Sequence, residues 1–438
     1  MLDIKFVKDN KDKVKNATAA KQIDPIVVDK TLGFYEVWTN KLQLFENLRR
    51  ERNKISESSK GYSSVGKELK DKLKKAELEI HEAYRNYIIT AKDIPNPPED
   101  DVKIGKDETE NEILRKWGKI KKFEFVPKDH LSIGENLGII DVQRASKVSG
   151  SRFAYLKGDA TMLEFALISF AIKTLSQEGF VPITPPVLIK VPVFHNLGYS
   201  EHLGNENYYL VKGASESNIE EEPEYYLVGT AEHSIVPYYA DEILSADGLP
   251  KRFVGFSSAF RREAGSYGKD TKGILRVHQF DKVEMVSFTT PEASKKEHEF
   301  LLSIEEKLFQ ELNIPYQVIK MCTGDLGAPA SKKYDLEAWM PGQNKYREVT
   351  STSNCTDFQS RRLNIKYLPS VSKSKDPNGQ IFETPIGPQY VHTLNGTAFA
   401  IGRTIIAILE NYQNPDGSVT IPEVLRPYMG KDKITPRK

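Results

Sequence analysis

Between residues 69 and 87 the apolar side chains fall at Leu69, Leu73, Ala76, Ile80, Ala83 and Tyr87. Alternating steps of four and three are the seam of a helix packed on another helix, and no strand satisfies them. Upstream, Phe34, Trp38, Leu42, Phe45, Leu48 and Ile55 trace a similar, less regular stripe. The intervening SESSKGYSSVG supplies the serines and glycines of a turn. The pattern predicts an antiparallel helical hairpin over about residues 27–93, with helices of about 30 residues spanning roughly 45 Å. Such a hairpin is too thin to hold a catalytic core. From periodicity it reads as a structural or dimerising coiled coil, and its run of Arg49, Arg50, Arg52 and Lys54 either touches phosphates or forms a solvated face.

The helical pattern ends at DIPNPPEDD, where three prolines in a short acidic run forbid helix. A domain boundary is expected there, dividing residues 1–100 from 101–438. Beyond it, strand-like runs are punctuated by helices without a repeating βαβ rhythm, which predicts an α+β domain on an antiparallel sheet. In TMLEFALISFAIKTLSQEGF, Thr161 and Glu164 have the spacing of a capping box and Gly179 marks the stop. The following VPITPPVL suits an edge strand or an interface.

Composition narrows the function. The 438 residues are 39% hydrophobic and 28% charged, enough to bury a full core. No apolar run of membrane-spanning length appears, and MLDIKFVKDNKDKVKN lacks the core of a secretory signal, so no membrane association and a cytoplasmic location are expected. Cys322 and Cys355 are the only cysteines, too few for a disulfide framework or a thiolate zinc site. A net charge of +1 means that any polyanion must be held by a local patch.

Chemistry concentrates in FRREAGSYGKDTKGILRVHQFDKVEM, residues 260–285. Read as a hairpin, strand alternation puts Arg261 with Glu263, and Arg276 with Phe280 and Glu284. Guanidiniums hold phosphate oxygens, a ring stacks on a purine and a carboxylate accepts from an amine, so the set suits a nucleotide. The Gly268–Gly273 loop can close over it. His278 and Cys355 read as structural.

This stretch closely resembles motif 2 of the seryl-tRNA synthetases, a class II family. TAEH (Thr230–His233), CTGDLG, KYDLEAWMPGQNKYREVTSTSNCTDFQSRR and HTLNGTAFAIGR resemble further signatures of that family in the same order, and the resemblance covers essentially the whole chain. It implies a class II antiparallel sheet with flanking helices and an N-terminal arm for the tRNA. It also implies activation of L-serine by ATP, with transfer to the 3′ end of tRNA(Ser); whether tRNA(Sec) is also charged stays open. Mg2+ with the ATP, no zinc, and a homodimer are implied as well.

By the same resemblance Arg261 and Arg403 are catalytic. Arg261, Arg262, Glu263, Arg276, Val277, Phe280, Arg403 and the Glu348, Val349, Thr350, Ser351 segment meet ATP, with Glu348 and Ser351 on the metal. Thr230, Ala231, Glu232, Arg261, Glu284 and Thr397 form the serine pocket. The chain departs from the usual motif 3 at Ala398, Ala400 and Gly402, and motif 1 is represented only by Gly179-Phe180 and Pro185. The alternatives are another class II synthetase, a tRNA-independent amino-acid ligase and a noncatalytic RNA-binding relative. About 35 residues follow Arg403, too few for the anticodon domain of a threonyl or prolyl enzyme. Loss of the arm would mark the second alternative and loss of Arg261 or Arg403 the third, and this chain keeps all of them.

Overall fold

The helix that carries the seam stops at Asp93, two residues ahead of Pro95. The computed structural model describes residues 1–58, 64–199, 207–212, 224–263, 272–369, 372–375, 381–384 and 387–436. Two compact units emerge, Met1–Pro97 and Pro98–Lys438.

In the first unit, helix α1 (Ile26–Ser58) packs against helix α2 (Ser64–Asp93). Trp38 stacks on Tyr87 at 5.7 Å while Lys41 Nζ meets Glu79 at 2.6 Å, so contacts move backward along α2 as they advance along α1. The pair is therefore antiparallel. Leu69, Leu73, Ala83 and Tyr87 are buried as the seam requires. The α1 stripe is offset: Phe34 and Leu42 are exposed, and Tyr35 joins Trp38 in an aromatic cluster with Tyr84 and Tyr87. Large rings fill the seam from neighbouring positions, which relieves the strict heptad. Of the turn expected in residues 56–66, positions 59–63 lie outside the described residues, and α1 and α2 take up the residues on either side.

The second unit is α+β. Eight strands form its central sheet: β1 (Glu112–Trp117), β2 (Val181–Ile183), β3 (Lys251–Phe260), β4 (Gln279–Thr289), β5 (Tyr316–Lys320), β6 (Lys332–Met340), β7 (Lys345–Asn354) and β8 (His392–Ala400). Their order is β1-β5-β6-β7-β8-β4-β3-β2. All neighbours pair antiparallel except β2, which lies parallel to β3 at the edge, where Pro182 withdraws no interior ladder bond. Helices α3 (Asp159–Gln177), α4 (Ser294–Glu311) and α5 (Ile401–Asn411) cover one face. Leu163, Leu167 and Phe170 of α3, Leu301 and Leu308 of α4, and Ile405 and Ile408 of α5 join Val283, Met285, Val318 and Leu336 of the sheet in one core. Truncating one of these, Leu167→Ala for instance, costs about 2–5 kcal/mol.

The expected capping box does not form. Helix α3 begins three residues earlier, behind Gly158, and Thr161 is already helical, its hydroxyl donating to Leu156 O at 2.9 Å. Glu164 turns instead toward Asp281. The stop at Gly179 holds: Phe180 N–H bonds back to Leu175 O, and Gly179 takes φ +85°.

Two bulges shape the sheet. The β6–β7 register runs Leu336↔Thr350, then Glu337↔Glu348, so Val349 is the extra residue. The β4–β8 register runs Val283↔Phe399, then Glu284↔Thr397, so Ala398 is extra. An extra residue reverses strand parity. Glu348 and Ser351, three apart, therefore share a face, as do Thr397 and Ala400.

Candidate active site

Alternation along β4 sends Val283 and Met285 into the core and Phe280, Lys282 and Glu284 to the opposite face. Glu284 is fully buried. Its Oε2 accepts from Thr397 Oγ1 at 3.0 Å and from Lys282 Nζ at 2.7 Å, and its Oε1 accepts from Asn395 Nδ2 at 3.1 Å. The Ala398 bulge aims Thr397 at this carboxylate.

Thr230, Ala231 and Glu232 are buried at the short helix Glu232–Ile235. Thr230 Oγ1 accepts from Glu232 N–H at 3.3 Å. Glu232 Oε1 accepts from Tyr199 Oη at 2.7 Å and Gln359 Nε2 at 2.9 Å, and Gln359 in turn accepts from Thr393. Burial, then the charge of Glu284, pushes the Glu232 carboxyl above its ordinary range. Burial also holds His233 well below the usual imidazole value, and its Nδ1 accepts from Gly229 N–H at 3.2 Å, so it is neutral and structural.

Arg261 lies between these groups and the nucleotide-type residues. Its Nε donates to Gly229 O at 3.2 Å, and its guanidinium stands over the Phe280 ring at 5.4 Å. The hairpin reading needs correction here. β3 ends at Phe260 and β4 begins at Gln279, so Arg261, Glu263 and Arg276 lie beyond the ladder. Glu263 takes φ +52°, which strand parity cannot describe. What joins these residues is side-chain chemistry: Arg276 Nη1 meets Glu263 Oε2 at 3.1 Å. Arg262 is exposed, its N–H donating to Asn207 O. His278 bonds Arg261 O through its ring at 3.0 Å. Most of the Gly268–Gly273 loop lies outside the described residues.

Val277 and Phe280 border a cavity of about 330 Å3 that Glu164, Asp281 and Gly402 also line. Burial, with a hydrogen bond to Asp281, pushes Glu164 up to about 8.

On β7, Glu348 faces Arg403, which enters from the first turn of α5 at 2.8 Å. Burial works against this carboxylate, but Arg403 and Lys333 hold it low, at about 2. Val349 and Thr350 are buried on the bulged segment, and Thr350 Oγ1 donates to Glu305 Oε2 at 2.7 Å behind the sheet. Ser351 pairs in register with Asp335 and hydrogen-bonds it. Asp335 is buried and pushed up to about 7 chiefly by that burial, and its Oδ1 has no hydrogen-bond partner among the described residues, Lys333 Nζ standing 3.6 Å away.

Sequence reasoning passed over Lys282, Asp335, Tyr199 and Gln359. Lys282 was within reach, because it shares parity with Phe280 and Glu284. Asp335 sits two residues from Lys333 in KKYD. Tyr199 and Gln359 reach Glu232 from 33 and 127 residues away, and no local pattern announces them. In the first unit Arg49, Arg50, Arg52 and Lys54 are exposed along α1.

A family model described as the tRNA synthetase class II core domain (G, H, P, S and T) matches residues 209–412, and one described as the seryl-tRNA synthetase N-terminal domain matches residues 1–98. The serine–tRNA ligase of Fervidobacterium nodosum is 41% identical over 100% of both chains. The chain belongs to the serine–tRNA ligase family. Serine–tRNA ligases of Treponema denticola and Acidothermus cellulolyticus are 41% and 42% identical over 99% and 100% of this chain, each covered completely. Among solved structures, the Pyrococcus horikoshii seryl-tRNA synthetase complexed with ATP superimposes with a TM-score of 0.87 at 40% identity, covering all of both chains. The Naegleria fowleri cytoplasmic serine–tRNA ligase in complex with AMP gives 0.85 at 30% identity, covering 100% of this chain and 99% of that one. As a serine–tRNA ligase, the chain is an enzyme with ATP, serine and tRNA as substrates. Among the described residues no helix is long and apolar enough to cross a membrane.

Proposed function

We propose that L-serine is activated on the face of β4 and β8 opposite the helices, between Arg261 and Glu284. The observation that carries this reading is the sequence of side chains along one strand face: a ring at Phe280 for adenine, then a buried carboxylate at Glu284 held by Thr397. Arg261 stands beside the ring, where one guanidinium can hold the serine carboxylate and the ATP α-phosphate together. The carboxylate attacks the α-phosphorus in line, the bond to the β-phosphate oxygen breaks, and pyrophosphate leaves with its electron pair. The tRNA terminal ribose hydroxyl then attacks the seryl carbonyl, its proton passing to a substrate phosphate oxygen or to water, and the bond from the carbonyl carbon to the phosphate oxygen breaks as AMP leaves. Arg261, Arg276 and Arg403 act by orienting the phosphates and stabilising their charge, and no protein nucleophile is required. Glu263 and the Val277 backbone read the adenine edge, and Thr230, Ala231 and Glu232 close the pocket around serine.

Mg2+ belongs to the same proposal. Glu348, Ser351 and the Asp335 oxygen that lacks a hydrogen bond lie on one face and form an oxygen-only donor set that fits a hard cation. Among the described residues no cluster of three or more histidine, cysteine, aspartate or glutamate side chains could hold a metal. An ion delivered with ATP would be held by Glu348, Ser351 and Asp335 and would supply charge neutralisation along the phosphates. A homodimer is supported by Met162 and Phe165 on α3 and Val181 on adjacent β2, which keep 48%, 56% and 57% of their surface exposed. The helical hairpin, with Arg49, Arg50, Arg52 and Lys54, would hold the long variable arm of tRNA(Ser). A selenocysteine tRNA is a second substrate to try, and the location proposed is the cytoplasm.

The test is serine-dependent exchange of pyrophosphate into ATP, with Mg2+. Exchange should appear with the wild type and fall by about 100-fold or more in Arg261→Ala. Near wild-type exchange in that variant would remove Arg261 from the site.

A further inference from the structure

Lys282 stands midway between the nucleotide and serine sides of the site, two residues after Phe280 and two before Glu284, on their face of β4. A lysine is seldom taken out of water, yet this one is 6% exposed. Its Nζ lies 2.7 Å from Glu284 Oε2. Its charge also reaches Glu232, where it opposes the effects of burial and of Glu284, and it helps to keep His233 neutral. The buried ammonium thus contacts Glu284 directly and reaches Glu232 through its charge alone, while Arg261 is turned toward Gly229 and Phe280.

The acceptor count sharpens the point. A carboxylate offers about four lone-pair sites. On Glu284 three are taken, by Lys282, Thr397 and Asn395. About one is left for a substrate donor. Without Lys282 the carboxylate would lose its shortest contact and the only charged one among these three.

We propose that Lys282 is a positioning residue for serine selection: it pins the Glu284 carboxylate so that one acceptor site faces the substrate, and it matches one of the two buried carboxyl groups so that the other awaits the substrate ammonium. This rests on the reading of Glu284 as part of the serine pocket. A lysine so placed acts on serine without touching ATP, and it acts through Glu284.

Pyrophosphate exchange on the full chain tests both statements, with serine and ATP varied in turn for wild type, Lys282→Met, Lys282→Gln, Glu284→Gln and the Lys282→Met/Glu284→Gln pair. Losing a hydrogen bond to a charged group should raise the serine KM about tenfold or more in both Lys282 variants. The ATP KM should stay within about twofold. The double variant should be no worse than Glu284→Gln alone, because the two residues act as a unit. A normal serine KM in the Lys282 variants beside a defective Glu284→Gln overturns the role of Lys282 and leaves the pocket standing. Losses that multiply in the double variant, or ATP use lost along with serine use in both Lys282 variants, overturn it equally and mark Lys282 as structural. Normal serine use in Glu284→Gln removes the pocket reading itself, and this inference with it.

Discussion

Arg403 Nη1 lies 2.8 Å from the Glu348 carboxylate and 2.9 Å from the Glu348 backbone oxygen. Two groups proposed for opposite duties, one for the phosphates and one for the metal, are thus each other's partner, and ATP with its cation must exchange that bond for its own.

Glu348→Gln should therefore weaken metal use before it weakens folding. The Mg2+ concentration giving half-maximal exchange is expected to rise about tenfold, since a charged oxygen donor is replaced by a neutral one. A Mg2+ titration of exchange at fixed ATP measures it; an unchanged midpoint would take Glu348 out of the metal site.

Substrate choice gives a second expectation. A pocket built around Glu284 and Thr397 leaves polar groups unpaired when alanine binds, whereas threonine adds only a methyl, worth about 1–3 kcal/mol of exclusion. Alanine should be rejected more completely than threonine. Glu284→Gln should lower serine efficiency about 10- to 100-fold, and Thr397→Ala less. Exchange kinetics with the three amino acids decide; unchanged serine efficiency in both variants would place hydroxyl recognition elsewhere.

The two units should also separate functionally, because the proposed adenylation residues all lie beyond residue 229 while α2 ends at Asp93. Replacing residues 29–92 by a short linker should leave serine-dependent exchange largely intact. Aminoacylation should drop by about tenfold or more, with a shallower dependence on salt as phosphate contacts are lost. Equal loss of both activities in a protein that keeps its circular dichroism would contradict this division.

His298 predicts a pH dependence of stability. The imidazole is buried on α4, donates Nε2–H to Thr352 O at 3.2 Å and stacks on Tyr334, and burial lowers its pKa from 6.5 to about 4. The folded chain keeps it neutral, while the unfolded chain takes up a proton below pH 6.5. The stability it contributes, about 3 kcal/mol at most, is therefore present above pH 6.5 and lost as pH falls toward 4. Urea midpoints at pH 7.5 and 4.5 should differ less in His298→Gln than in the wild type. Equal differences would exclude His298 as a source.

What could be read beforehand follows from the range of each signal. The seam at Leu69, Leu73 and Tyr87 is local and periodic, and it specified the hairpin. Strand parity along β4 joined Phe280 to Glu284 correctly, but it was carried past the strand end to Arg276, and on the other side to Glu263, whose positive φ breaks the alternation. The capping box failed because Gly158 starts α3 earlier, and Thr161 and Glu164 were then free for other partners. Tyr199 and Gln359 converge on Glu232 only through the tertiary fold, so nothing in their own neighbourhoods could name them.

The bulge at Val349 gives β7 something like a reading frame. Drawing Val349 into the ladder opposite Glu337, with no residue lost, would discard no proposed ligand: Glu348, Ser351 and Arg403 would all remain in the chain. Yet the pleat would be restored, and Glu348 would swing to the side where the helices pack, as a frameshift preserves letters and destroys the word. For this enzyme, then, an inventory of active-site residues is not a sufficient sign of activity. The register in which the residues between them pair carries the message as well.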